Sequence, residues 1–273
     1  MRDAIVVEGL GLHAGAPGRV TLRPFPGETT LNGHPISRFR AVRAERSTAI
    51  VCDAVQARTV EHLFAALAAL GLREGVALTL SGPEPPILDG GAAAWFDQIA
   101  PLGIPATRPS LRVARAATVE VGLSRYAFVP GFGTVVSAHV EMGDDRVAAD
   151  ARWAGEASDF RERIAPARTF CFAHEVEALA RSGLASHVTP EMVVVIGDEI
   201  LASGRPFEPD EPVRHKVLDL IGDLFLYGGP PIGEVAVHRP GHWSTHEAMR
   251  RALLEGIVGP VAGGSSREQE RGR

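Results

Sequence analysis

One stretch of this chain, residues 212–228, restricts its possible folds more than any other. It starts with a proline that follows an acidic pair, and two glycines and two prolines come at its end, which are start and stop signals of a helix. Between these signals, apolar residues recur every three or four positions and predict one apolar helix face. They are Val213, Val217, Leu220, Ile221 and Leu224. We therefore expect a single amphipathic helix here.

The polar side of this helix carries His215, Asp219 and Asp223 at four-residue intervals. On a helix, this spacing stacks the three side chains along one edge, about a turn apart. An imidazole and a carboxylate one turn apart can both reach a single cation, as zinc sites with His and Asp ligands require. For an isolated His-x-x-x-Asp pattern, the common alternative is a solvated helix face whose polar residues are incidental.

The composition singles out one more residue of the same helix. The chain has 28 lysines and arginines, and Lys216 is the single lysine among them. Lysine differs from arginine in being a compact point charge whose pKa shifts readily. A lone ammonium group beside a candidate metal ligand favours a functional site over a merely solvated face.

Length, charge and cysteine content exclude several classes of protein. A chain of 273 residues can form one large domain or two ordinary ones. The net charge of -5 gives no electrostatic reason to expect nucleic acid or an anionic membrane as a partner. Cys52 and Cys171 lie far apart, which favours a reducing compartment. Because the N-terminus lacks a signal-peptide pattern and no apolar run is long enough to span a membrane, we expect a cytoplasmic protein without stable membrane insertion.

The order of predicted elements is similar in two halves of the chain, with strands first and helices later. Strands are predicted at residues 5–7, 20–22, 48–51, 76–80, 111–113, 117–121, 127–129, 134–140, 192–196 and 233–238, and further helices at 60–70, 92–99, 174–181 and from Thr245 onward. A proline-rich linker at 101–109 separates the halves. We therefore predict an α+β fold of two similar β-α layered domains, residues 1–106 and 109–258, with the site between them, and a disordered tail at 259–273.

Glu61 and His62 form a second polar pair, in the first turn of the helix predicted for residues 60–70 with Thr59 as its cap. His62 can supply a third ligand, and Glu61, about 100° round the helix, can contact a water on the metal. Three ligands with an open fourth position are typical of a catalytic zinc. A buried histidine with a local hydrogen bond is the common alternative for such a pair.

His242 is a further candidate, in a loop that we expect to precede the last helix. A side chain on such a loop can project into a cleft, and Asp223 is available to orient it. We interpret the neighbouring His238 and His246 as bystanders.

Five blocks of the sequence, in this order, resemble the zinc-dependent UDP-3-O-acyl-N-acetylglucosamine deacetylases of lipid A biosynthesis. The blocks are Thr-Val-Glu-His-Leu at 59–63, Glu-Pro-Pro-Ile-Leu-Asp-Gly at 84–90, Arg-Thr-Phe at 168–170, the His-Lys-x-x-Asp-x-x-Gly-Asp pattern at 215–223, and Gly-His at 241–242. The turn Gly-Leu-His-x-Gly at 11–15 also matches. The resemblance covers residues 4–254 and implies two β-α domains packed face to face, with the metal at their junction.

The resemblance also implies a role for each residue of these blocks. The zinc ligands would be His62, His215 and Asp219, and Glu61 would be the base that activates water. The acid that protonates the leaving amine would be His242, positioned by Asp223. Thr169 would help to hold the oxyanion, and Lys216 would stabilise charge nearby.

The substrate that the resemblance implies is a UDP-linked acylated amino sugar, bound by a monomer. In the family, an insertion in the second domain forms a hydrophobic passage for the acyl chain, and residues 170–196 match it here. The candidate lining residues are Phe170, Phe172, Val176, Leu179, Leu184, Val188 and Met192. For Val176, Leu179 and Leu184, the packed face of a short helix is an equally good interpretation.

The departures from the family pattern concern the substrate side. The chain has Asp-Gly-Gly-Ala at 89–92 where the family usually has Asp-Gly-Ser-Ala, and residues 185–190 replace a glycine-rich stretch. Two alternatives to the deacetylase therefore stay open at this point. One is a related zinc amidohydrolase that acts on another N-acetylated sugar, and the other is a catalytically silent paralogue that binds a nucleotide sugar.

Overall fold

The computed structural model describes residues 3–181 and 189–261, apart from the side chains of residues 179 and 180. Helices and separate sheets occur in both halves of the chain, which confirms the predicted α+β class. The domain boundaries proposed at residues 106 and 109 stay a prediction.

The described residues of the first half form eight strands and two α-helices. In chain order these are β1 (Ile5–Leu10), β2 (Pro17–Glu28), β3 (Thr30–Leu31), β4 (His34–Pro35), β5 (Arg40–Val42), β6 (Ala49–Cys52), β7 (Val55–Arg58), α1 (Glu61–Ala69), β8 (Glu74–Ser81) and α2 (Ala93–Ile99), with 3₁₀ turns at Ile36–Arg38 and Ala100–Leu102.

The second half begins after the proline-rich segment. Its elements are β9 (Leu111–Val113), β10 (Ala117–Val121), β11 (Ser124–Val129), β12 (Thr134–His139), β13 (Asp150–Trp153), α3 (Ala157–Asp159), a π-helical turn (Phe160–Ile164), β14 (Thr169–Phe172), α4 (Ala173–Arg181), β15 (Val193–Ile196), β16 (Ile200–Leu201), α5 (Glu211–Phe225), β17 (Gly233–His238), α6 (His242–Leu254) and β18 (Val258–Pro260).

The main sheets of the two halves repeat one topology. Their strand orders are β1-β2-β8-β3-β4 and β10-β11-β17-β12-β13. In each sheet, the strand that follows a buried helix lies in the centre, antiparallel to one neighbour and parallel to the other. Each half also carries a three-stranded sheet before that helix, β5-β6-β7 in the first and β14-β15-β16 in the second. This repetition agrees with the duplicated order of elements read from the sequence.

Helices α1 and α5 pack against each other between the halves. A Cβ atom on Gly222 would lie 2.0 Å from the carbonyl oxygen of Glu61, so this crossing requires glycine. One turn further along, the rings of Phe64 and Phe225 lie 5.1 Å apart. Every residue of α5 except Lys216 is buried. The polar side of this helix therefore faces the protein interior, and the interpretation of a solvated face is wrong.

Three local predictions require correction. Thr59 does not cap α1: Val60 is the N-cap, while Thr59 has a φ of +53° and its buried hydroxyl has no hydrogen-bond partner among the described residues. The last helix begins at His242 instead of Thr245, because the hydroxyls of Ser244 and Thr245 bind the carbonyl of Gly241 within its first turn.

The third correction concerns the tail. Gly259 and Pro260, predicted to be disordered, pair with Arg112 and Leu111 in the sheet that β18 forms with β9. Residues 262–273 of the predicted tail lie outside the described residues.

Candidate metal centre and active site

Three ligands from the two helices at the centre of the molecule come together. His62 lies in the first turn of α1, and His215 and Asp219 lie one turn apart on α5. One ligand atom from each residue falls within 4.8 Å of the others, and all three residues are buried. The imidazole rings are 5.1 Å apart, and Nε2 of His215 is 3.4 Å from the Asp219 carboxylate. The predicted ligands therefore form one cluster, which fits the donor set of a zinc site.

Backbone carbonyl groups orient both imidazoles. Nδ1–H of His62 donates to the carbonyl of Gly91 over 3.0 Å, and Nδ1–H of His215 donates to that of Ala167 over the same distance. In each ring, this hydrogen bond leaves Nε2 as the unprotonated atom that can bind a metal. Carbonyl groups that fix the tautomer are a usual second contact of metal-binding histidines.

The backbone around these carbonyls is tightly packed. A Cβ atom on Gly91 would lie 2.4 Å from the carbonyl oxygen of Ala165. Two backbone hydrogen bonds join residues 90–92 to residues 165–169. The Ala92 amide donates to the carbonyl of Ala165, and the Thr169 amide donates to the carbonyl of Gly90. The glycine that departs from the family pattern therefore lies against the backbone that orients both histidine ligands.

The charges around the cluster favour metal binding. Burial, together with the nearby His215, lowers the pKa of His62 to about 4, so the ring is neutral near pH 7. Burial also lowers the pKa of His215. For Asp219, burial opposes ionisation, but Lys216 and His215 outweigh it and hold the pKa well below its usual range. The cluster thus offers two neutral imidazoles and a carboxylate, the protonation states that a metal requires.

Lys216 lies beside this cluster and lines the same cavity. Its Nζ is 2.8 Å from the Asp219 carboxylate and 5.5 Å from the centre of the Phe170 ring. Burial alone would lower the pKa of Lys216, but the carboxylate of Asp219 raises it, so the ammonium group stays charged.

Two further side chains, those of Glu61 and His242, lie beside the cluster. Nε2 of His242 lies 3.8 Å from the Glu61 carboxylate and 4.0 Å from that of Asp219. Its Nδ1–H donates to Asp223 over 3.0 Å. Burial raises the pKa of Glu61 to about 8. Burial would lower the pKa of His242, but the negative charges of Asp223 and Glu61 outweigh it and raise the pKa to about 10.

Thr48 contacts Glu61, Asp223 and His242, although no pattern in the sequence selects it. Its backbone amide donates to Glu61 over 3.1 Å, and its hydroxyl donates to Asp223. Nε2 of His246 lies 3.1 Å from the same hydroxyl, and the Tyr227 hydroxyl lies 3.2 Å from the other ring nitrogen. His246 is therefore not a bystander but part of a buried polar network behind Asp223.

A cavity of about 720 Å³ opens above the cluster. Its polar lining consists of the three metal-cluster residues together with His13, Arg46, Glu61, Thr169, Glu175, Thr189, Lys216, His242 and Ser244. The apolar lining from residues 170–196 includes Phe170, Phe172, Val176, Val193 and Val195. A charged floor and an apolar wall therefore meet in one cavity.

Not all of the predicted lining residues reach this cavity. Met192 does not line it. Met192 lies in the turn that precedes β15, where its amide donates to the carbonyl of Thr189, whereas Val193 and Val195 of the strand line the cavity. Leu184 and Val188 lie outside the described residues, as does the side chain of Leu179.

His13 is a cavity-lining residue to which the sequence assigned no role. Its ring nitrogens are buried without hydrogen-bond partners among the described residues, and its backbone amide donates to Glu84 over 2.9 Å. Burial lowers the pKa of His13, although the charge of Glu84 opposes the shift.

Known proteins resemble this chain over nearly its whole length. Residues 1–255 match the family described as UDP-3-O-acyl N-acetylglycosamine deacetylase. The UDP-3-O-acyl-N-acetylglucosamine deacetylase of Thermosynechococcus vestitus is 34% identical over 265 residues, which cover 90% of each chain. Proteins of the same name from Brucella melitensis biotype 2 and Brucella ovis are 34% identical over 273 residues, covering 92% of this chain and 93% of theirs.

Among the described residues, no helix combines the length and the apolar character that crossing a bilayer requires.

Proposed function

Because the chain belongs to the UDP-3-O-acyl N-acetylglycosamine deacetylase family, we propose that it hydrolyses the N-acetyl group of UDP-3-O-acyl-N-acetylglucosamine. The products are acetate and the free amine, and the reaction serves lipid A biosynthesis. The observation that carries this proposal is the meeting of three metal ligands, a carboxylate and a histidine at the floor of a cavity with an apolar wall.

His62, His215 and Asp219 hold Zn²⁺ in this proposal. Two imidazoles and one carboxylate form a donor set that leaves a further position open, as catalytic zinc sites do. The carbonyls of Gly91 and Ala167 support the assignment because they direct the unprotonated Nε2 of each ring toward the cluster. When bound, the ion supplies a Lewis acid for the amide carbonyl and for the attacking water.

Glu61 is the general base. Its carboxylate is held by the Thr48 amide and lies beside the ligands, where it can accept a proton from water. Burial alone favours the protonated form of Glu61. A cation held by the neighbouring ligands favours the ionised form, which is the form that a base needs.

His242 is the general acid. Asp223 holds its Nδ1–H, so that Nε2 points toward the cluster and can deliver a proton to the leaving amine. The raised pKa keeps the ring protonated near neutral pH. Base and acid thus approach the scissile bond from two helices, α1 and α6.

Thr169 and Lys216 complete the polar floor. Lys216 keeps its positive charge beside Asp219 and stabilises negative charge that develops on the substrate oxygen. Thr169, at the start of β14, lines the same cavity, and in this proposal its hydroxyl donates to that oxygen.

The apolar wall accepts the ester-linked acyl chain. Phe170, Phe172, Val176, Val193 and Val195 line it together. Each methylene that such a wall buries contributes about 0.8 kcal/mol, so a few carbons change affinity by orders of magnitude. We therefore expect activity that depends on the acyl chain and has an optimum chain length.

Acetate release from UDP-3-O-acyl-N-acetylglucosamine, measured together with zinc content, tests the proposal. The native chain should release acetate, and Glu61→Gln should keep its zinc while losing about two or more orders of magnitude in rate. Near-native turnover by Glu61→Gln would disprove its role as the base. Equal rates on acylated and unacylated UDP-N-acetylglucosamine would disprove the acyl site.

A further inference from the structure

A second group of metal-ligating side chains lies in the first half of the molecule, outside the catalytic cluster. We propose that His34, Cys52 and Asp53 form a separate site for Zn²⁺, in which the cysteine binds as a thiolate. One ligand atom from each of the three residues lies within 4.8 Å of the others. The set combines sulfur, nitrogen and oxygen donors, all of which zinc accepts.

The separations of the donor atoms suit a tetrahedral ion. Nδ1 of His34 is 3.5 Å from Oδ2 of Asp53, and Sγ of Cys52 is 3.8 Å from the same oxygen. Two ligands bound at zinc distances and tetrahedral angles are about 3.3–3.8 Å apart. Small rotations of exposed side-chain atoms therefore suffice to close the site around an ion.

Two tight turns present the three ligands. Cys52 ends β6, and Asp53 follows with a φ of +51° in the turn that leads to β7. His34 opens β4 after a turn in which Asn32 and Gly33 both have positive φ. Paired strands fix the backbone on both sides, so little conformational freedom is lost when an ion binds.

His34, Cys52 and Asp53 differ in exposure, so an ion can reach the site from solvent and still bind a buried sulfur atom. Cys52 is 6% exposed and packs in the core. The side chains of His34 and Asp53 are 28% and 60% exposed. An ion can enter from solvent on the aspartate side and meet a buried sulfur, with water in the fourth position.

Arg38 is the competitor for this site. Its guanidinium lies 3.3 Å from Oδ2 of Asp53, and both side chains are mostly exposed. An exposed ion pair of this kind contributes little to stability. A divalent cation with a thiolate ligand therefore displaces Arg38, and the proton of the Cys52 thiol is released to solvent.

The proposed site is distinct from the catalytic centre. Strand β6 separates Cys52 from Thr48, a span of about 13 Å at the usual rise of a strand. The catalytic ligands are two histidines and an aspartate, so a thiolate signal cannot come from them.

Cobalt provides the test because a thiolate bound to Co²⁺ gives a charge-transfer absorption in the near ultraviolet. Enzyme depleted of metal with a chelator is titrated with Co²⁺, so that zinc does not already fill the site, and the absorption should saturate at about one thiolate-bound Co²⁺ per chain. It should persist in Cys171→Ser, which removes the cysteine in the catalytic cavity, and vanish in Cys52→Ser. Absence of the absorption from the native enzyme, or its persistence in Cys52→Ser, would overturn the proposal.

Two further variants separate a built site from a cysteine that binds metal alone. His34→Ala should weaken Co²⁺ binding by about tenfold or more, and Arg38→Gln should strengthen it because the competing cation is gone. Unchanged binding in His34→Ala would reduce the site to a lone thiol and contradict the assignment. Acetate release plays no part in this readout, so its outcome is independent of the proposed catalytic function.

Discussion

The two three-stranded sheets that precede the central helices occupy equivalent places in the repeated topology. They are β5-β6-β7, called here the first insertion, and β14-β15-β16, the second insertion, and one contributes polar contacts to the site while the other contributes apolar ones. The first brings Thr48, which directly precedes β6, into contact with Glu61 and Asp223. The second places Val193 and Val195 along the apolar wall of the cavity. The same topological position thus supports the polar floor in one half and the substrate wall in the other.

This difference indicates that rate and substrate choice are separable. The floor is built on helices α1, α5 and α6, whose mutual packing is buried and leaves little freedom at the Gly222 crossing. The wall is built on short strands whose cavity-facing side chains are only partly buried. Changes in the first insertion should alter turnover, and changes in the second should alter acyl preference.

The largest effect is expected where floor and wall are joined. Arg168 and Glu211 form an ion pair with side chains 1% and 0% exposed, which ties the start of β14 to the start of α5. Glu211→Gln leaves a buried guanidinium without its counter-charge, so the free energy of unfolding near pH 7 should fall by about 3 kcal/mol or more. Asp97→Asn, which breaks the exposed pair with Arg161, should change it by less than about 1 kcal/mol.

The pH dependence of the free energy of unfolding provides a second test of the Arg168–Glu211 ion pair. Burial opposes ionisation of Glu211, but its hydrogen bonds with Arg168 outweigh it, and the pKa is lowered. A carboxyl group with a lowered folded-state pKa stabilises the fold above its unfolded pKa, about 4.3, and this contribution is lost as the pH falls through the folded value. Urea unfolding should therefore show the gap between native and Glu211→Gln protein closing below pH 4.3. A gap that stays constant down to pH 2 would refute the pairing.

The next largest effect is expected on kcat when Thr48, which directly precedes β6 of the first insertion, is changed. Thr48→Val removes the hydroxyl that binds Asp223 but keeps the backbone amide that binds Glu61. A hydrogen bond to a charged group contributes about 1.5–3 kcal/mol, so kcat should fall at least about tenfold with zinc retained. Thr48→Ser keeps the hydroxyl and should stay near the native rate. A native kcat in Thr48→Val would show that the hydrogen bond from Thr48 to Asp223 does not position Asp223 and His242 for catalysis.

The smallest effect concerns the second insertion. Val195→Phe adds bulk to the wall, and excluding two methylenes of the acyl chain costs about 1.6 kcal/mol. The ratio of kcat/KM for long to short acyl chains should fall by about tenfold. Leu254→Phe changes an exposed residue at the end of α6 and should leave the ratio unchanged. If Val195→Phe lowered kcat/KM equally for acyl chains of all lengths, acyl preference could not be changed separately from turnover.

The metal cluster could be predicted from the sequence because its information is local. His215 and Asp219 are four residues apart on a helix with clear start and stop signals, and Glu61 and His62 are adjacent. What brings the two helices together is Gly222, a residue inside the recognised pattern. The resemblance then supplied roles that spacing alone left open.

The support of the site could not be predicted in the same way. Thr48 lies 175 residues from Asp223, and His246 lies on a different helix, so no periodicity connects them. The run of apolar residues from Met192 to Ile196 does not show where the turn ends and β15 begins, so the prediction that Met192 lines the cavity is wrong. Thr59 was assigned as a cap from residue type, whereas its positive φ depends on tertiary packing.

The central claim is that both halves contribute ligands to one zinc ion, and the zinc content of His62→Ala and His215→Ala tests it most directly. His238→Ala is the matched control, since His238 lies on β17 and stacks on His139 with ring centres 5.2 Å apart. The account predicts that His238→Ala keeps the zinc content of the native protein, whereas either ligand variant contains about one zinc fewer per chain. Full zinc occupancy in His62→Ala or in His215→Ala would contradict it.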